Sequence, residues 1–136
     1  MEALHFGSDS EFVRLEFARS CVHGDWIETA VEISVRCFRG SIKASFEVLD
    51  FKKLLSELQV LYETLAGRAE LSPREEQLIL SLVGTGSGHI MLTGTAWAQA
   101  RNGNKLEFEL ELDQTYLANP IRQLEALLAE VETNDV

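Results

Sequence analysis

The tightest constraint in this chain is the run Leu106-Glu107-Phe108-Glu109-Leu110-Glu111-Leu112-Asp113, where apolar and acidic residues alternate without a slip. Successive side chains on a strand point to opposite faces, so strict alternation reads as a half-buried strand. Leu106, Phe108, Leu110 and Leu112 are then fit for a core, and Glu107, Glu109, Glu111 and Asp113 form a row of carboxylates on the other face. Same-face neighbours on a strand lie about 7 Å apart, twice the rise per residue. That is within the Debye length of about 8 Å at physiological salt, so the carboxylates repel. A compact acidic ridge on a rigid sheet works against stability and suits a basic partner.

The rest of the chain alternates in the same way, with two interruptions. Val13, Leu15 and Phe17 share a face, and Gly24-Asp25 breaks the pattern. A long strand is expected over 26–38, with Ile27, Thr29, Val31, Ile33, Val35 and Cys37 on one side. Arg39-Gly40-Ser41 reads as the tight turn of a hairpin into Ile42, Ala44, Phe46 and Val48. At Asp50 the period shifts to 3.6: Leu54, Leu55, Leu58, Leu61, Tyr62 and Leu65 make one helical stripe, with Asp50 as N-cap and Gly67 as C-cap. Strands follow at Leu78, Leu80, Leu82 and at Ile90, Leu92, Gly94, Ala96, Ala98, which sets Trp97 on the opposite side. Asn102-Gly103 is a hairpin signal leading into the acidic strand. Asn119-Pro120 opens a second helix with the stripe Ile121, Leu124, Leu127, Leu128, Val131.

The two halves echo one another. Gly40 and Gly103 are 63 residues apart, as are Asp50 and Asp113, while the strand register needs an offset of 64. The mismatch favours shared patterning over duplication. Two helices with one apolar stripe each need an apolar face to cover, and a sheet supplies it. The expected fold is a single α+β domain over residues 1–136: one twisted antiparallel sheet of about six to seven strands with two helices packed on one face. The acidic ridge then lies on the open side.

Composition narrows the function. With Lys+Arg 12 against Asp+Glu 22 the net charge is −10. That disfavours direct binding of nucleic acid or anionic membrane, which rests on Lys and Arg. No stretch approaches a membrane span, and the N-terminus Met1-Glu2-Ala3-Leu4-His5-Phe6 lacks a basic, long apolar leader. Two cysteines, Cys21 and Cys37, make no disulfide framework. A cytoplasmic protein with reduced thiols is expected, with Cys37 buried as a small hydrophobe.

Motifs for chemistry fall short. Gly84-Thr85-Gly86-Ser87-Gly88 has no following lysine and precedes a strand, unlike a phosphate-binding loop. It also holds only half of a nucleophile elbow. Cys21, His23 and Cys37 lack the paired spacing of a zinc site. Neither a catalytic residue, a metal nor a cofactor is assigned. Trp97 is a candidate interface anchor beside the ridge, since binding hot spots are enriched in Trp, Tyr and Arg. The candidate partner-binding set is Glu107, Glu109, Glu111, Asp113 and Trp97.

The run Asn104 to Leu117, with Gly88-His89-Ile90, Gly94-Thr95-Ala96 and the Leu-x-x-Leu-Tyr-Glu pattern ending at Glu63, resembles the WapI-type immunity proteins of bacteria. The resemblance covers the chain from about Asp25 onward. It implies a cytoplasmic protein that binds and blocks the toxic domain of a contact-delivered toxin, a tRNA-cutting nuclease in the founding system. It carries over no functional residues. The expected function is therefore neutralisation of a cognate toxin domain, a basic nuclease, through the acidic sheet surface. The alternatives are a non-catalytic interaction module forming a homodimer through sheet edges, and a small-ligand carrier with a pocket between sheet and helices.

Overall fold

A computed structural model describes the backbone of residues 2–18, 22–100 and 102–134, and the side chains of 3–18, 22–100 and 102–131. Cys21 lies outside the described residues. The chain is α+β with antiparallel strands and two helices, but the strands divide between two sheets. The first holds β1 (Glu2–Gly7), β2 (Phe12–Phe17), β3 (Val22–His23), β4 (Trp26–Val35) and β5 (Phe38–Glu47). β2 and β3 share one edge of β4, and β5 takes the other. The second sheet is a meander of β6 (Ala66–Leu71), β7 (Leu78–Thr85), β8 (His89–Gln99) and β9 (Asn102–Asp113), in that order. Helix α1 (Val48–Thr64) follows β5; a 3-10 turn (Gln114–Leu117) and helix α2 (Ala118–Asn134) follow β9. Each half is thus a set of antiparallel strands closed by a helix, which is the architecture behind the sequence echo.

The inner faces of both sheets and both helices feed one core. Phe6, Leu15, Ile27, Ile33 and Phe46 enter from the first sheet, and Leu71, Leu80, Leu82, Leu92 and Phe108 from the second. The helices cross over: α1 packs beside β6 of the second sheet, α2 beside β1 of the first, and they touch each other. One shared core buries the apolar faces of both sheets together with the stripes of both helices.

Several boundaries differ from the sequence expectation. The β4–β5 turn is Arg36-Cys37, with Arg36 at φ 51, not Arg39-Gly40-Ser41. Cys37 therefore sits exposed at a hairpin tip instead of buried. The N-cap of α1 is Glu47, and Asp50 stands at N3, where its Oδ2 accepts the Glu47 N–H at 2.8 Å. Burial pushes the Asp50 carboxyl above its ordinary pKa, against the lowering pull of that hydrogen bond. The helix ends at Leu65, in the left-handed region at φ 62, and Gly67 already belongs to β6. β8 and β9 pair out to Gln99 opposite Asn102, so Asn102-Gly103 is not the two-residue turn but lies inside β9 at a register shift, with Gly103 at φ 83.

Candidate functional site: the outer face and edge of β9

β9 delivers the alternation its sequence demands. Phe108, Leu110 and Leu112 are buried, Leu106 is half-buried, and Glu107, Glu109, Glu111 and Asp113 are exposed. Phe108 is seated over Gly94, its cross-strand partner; a Cβ built at Gly94 would lie 2.2 Å from the ring. That close approach packs β9 against β8. The ridge is therefore displayed on a well-supported strand.

Across β8, the ridge faces neutral or weakly basic neighbours: Thr95 opposite Glu107, Thr93 opposite Glu109, Met91 opposite Glu111 and His89 opposite Asp113. The four acids are not equivalent. Lys105 Nζ pairs with Glu107 Oε1 at 3.1 Å and lies 5.1 Å from the centre of the Trp97 ring. Trp97 is half-buried, so it is a platform under Lys105 more than a bare anchor. Asp113 caps the 3-10 turn: its Oδ1 accepts Thr115 N–H at 2.8 Å and the Thr115 hydroxyl. The Thr115 hydrogen bonds hold the Asp113 carboxyl below the ordinary carboxylate pKa. Among the described residues, Glu109 and Glu111 make no ion pair. Two carboxylates about 7 Å apart repel by roughly 0.6 kcal/mol in bulk water before salt screening. The central pair thus carries an unrelieved repulsion that an external cation would remove.

Beside Glu109, Leu110, Glu111 and Leu112 a cleft of about 450 Å³ opens toward the first sheet. Ser8 and Glu11 line it from the β1–β2 connection, Arg36 from the β4–β5 turn, and Tyr116 from the 3-10 turn. These are residues that sequence reading did not assign to a site. They come from three distant segments, and only the closure of one sheet on the other brings them to the β9 edge. The Gly-rich stretch has a structural explanation: Gly84 belongs to β7, where a Cβ would lie 2.6 Å from the Leu65 carbonyl oxygen, and the turn is Gly86-Ser87-Gly88.

Among the described residues no group of three or more His, Cys, Asp or Glu is arranged to hold a metal ion. His23 and Cys37 lie at opposite ends of β4. Among the described residues, no helix is long and apolar enough to cross a membrane.

Two solved structures align with the chain. A guide-RNA-binding protein complex bound to a gRNA aligns with a TM-score of 0.51 at 13% identity, covering 93% of this chain and 86% of that one. MRP1/MRP2 of Trypanosoma bruciei aligns with a TM-score of 0.49 at 12% identity, covering 98% and 83%. At such identity the likeness concerns fold alone. No curated protein matches the chain in sequence. The Immunity protein WapI-like family, by contrast, matches residues 4–132, nearly the full length. The chain belongs to the WapI-like immunity protein family.

Proposed function

We propose that this protein neutralises a cognate toxin domain by laying the carboxylates of β9 against a basic surface of that toxin. Family membership supports the immunity role. The observation that carries the mechanism is the exposed Glu109–Glu111 pair, unpaired among the described residues and fixed on a packed strand. A nuclease must present Lys and Arg to its nucleic acid, so a rigid row of carboxylates competes for that surface. With a net charge of −10, the whole protein also steers a cationic partner into encounter. Such an inhibitor works inside the bacterial cytoplasm and needs neither cofactor nor catalytic group.

The guide-RNA-binding neighbour suggests a second reading, direct RNA binding through the shared fold. The charge balance and the carboxylate face argue against it, because phosphates need cations. A homodimer through sheet edges is also disfavoured at β9, where like charges would meet. The test is co-expression with the toxin domain encoded beside the gene. Rescue of growth together with co-purification is the expected result; continued toxicity, with the two proteins eluting separately, contradicts the reading.

A further inference from the structure

We infer that β9 receives an extended basic strand of the toxin along its free edge, lengthening the second sheet from four strands to five. This rests on the neutralisation reading and specifies its geometry.

β9 ends the sheet order β6-β7-β8-β9, and among the described residues no strand pairs with its far side. The phase of its hydrogen bonding follows from one contact. Gln114 N–H donates to the Gly88 carbonyl at 3.2 Å, in line with the register that sets Asp113 opposite His89 and Leu112 opposite Ile90. In an antiparallel pair, bonded and non-bonded positions alternate. Residues 112, 110, 108 and 106 therefore exchange bonds with β8. The N–H and C=O of Glu107, Glu109 and Glu111 face outward at the edge. The 450 Å³ cleft opens along this same stretch, beside Glu109 to Leu112.

Sheet proteins guard such edges with proline, bulges or lysines. From Leu106 to Leu112, β9 contains no proline and no register shift; its one shift lies near the hairpin, and Lys105 stands at one end. What guards it is like charge. Two copies pairing antiparallel about Glu109 would set Glu107 against Glu111 and Glu109 against itself, a destabilising arrangement on a sheet. A strand with Lys or Arg at alternate positions turns every one of those contacts favourable. The edge thus rejects a second copy of this chain and accepts a basic strand, with main-chain bonds supplying affinity and side-chain charge supplying choice. The exposed stretch from Lys105 to Glu111 spans roughly 20 Å at about 3.4 Å per residue.

The test is amide hydrogen exchange by NMR, on the free protein and on its complex with the toxin domain encoded by the neighbouring gene. The expected result is slowing of the Glu107, Glu109 and Glu111 amides by at least about tenfold on binding, while those of Phe108 and Leu110, already bonded to β8, change little. A complex that forms with these three amides unslowed overturns the edge pairing and leaves neutralisation standing. Absence of any complex overturns both. Glu109→Pro against Glu109→Ala gives an independent check, because an edge strand tolerates proline where the N–H points away. The proline variant binds up to about tenfold more weakly than the alanine variant, the worth of one lost hydrogen bond; equal affinities contradict the inference.

Discussion

Individual residues carry this fold in ways that single substitutions expose. Gly94 has no room for a methyl group, because the Phe108 ring occupies the space. Gly94→Ala is expected to destabilise by about 1–3 kcal/mol, the usual range for overpacking, and Phe108→Ala by about 3–5 kcal/mol; urea melts measure both. Asp113 illustrates how position overrides composition. Its carboxylate looks in sequence like the fourth member of the ridge, yet its hydrogen bonds are spent on Thr115. Because those bonds lower its pKa in the folded state, the stability it contributes is present above the ordinary carboxylate pKa and is lost as pH falls through the lowered value. Asp113→Ala is therefore expected to lower Tm at neutral pH, with the gap to wild type closing in acid. A gap that stays constant from neutral pH into acid contradicts the capping role.

At the scale of elements, β9 was the most legible part of the chain. Eight residues of unbroken alternation admit one strand with one buried face, and the structure has it. Both helical stripes were legible for the same reason: Leu54, Leu58 and Leu61 in α1, and Leu124, Leu127 and Val131 in α2, are all buried, whereas Tyr62, read into the first stripe, is exposed. β1 and β6 were not legible. β1 offers Leu4 and Phe6, and β6 offers Ala69 and Leu71, as their fully buried apolar side chains, too few to establish a period. The β4–β5 turn was hidden because Cys37 and Phe38 continue an apolar run, whereas Gly40 sits two residues inside β5 and imitates a turn. The ridge itself makes a clean prediction. Glu109→Lys with Glu111→Lys makes the contacts with Glu107 and Asp113 attractive and leaves one like-charge contact, between 109 and 111, on an exposed face, so the double variant keeps its circular dichroism spectrum and its Tm does not fall. Unfolding would mean that these side chains are structural.

For the molecule as a whole, alternation tells which face of a strand is buried but not which strand lies beside it or how many sheets result. One sheet roofed by two helices and two sheets sharing a core with two helices bury the same residues. The difference is set by contacts distant in sequence, such as α2 against β1 and α1 against β6. Since each helix packs beside the other half's first strand, neither half is expected to fold alone. Calorimetry on the full chain is predicted to show one transition with equal calorimetric and van't Hoff enthalpies, and a fragment of residues 1–65 to lack cooperative melting. The same closure places Glu11, Arg36 and Tyr116 beside the β9 edge, which no local pattern announces. The central claim is that the carboxylates of β9 hold the toxin. The most direct measurement is the Kd of the neighbouring-gene toxin domain for wild type and for E109K/E111K of matched Tm. Close interfacial charge pairs couple by about 1.5 kcal/mol or more, so a loss of at least about tenfold per site is predicted. An unchanged Kd in the folded double variant would contradict the account.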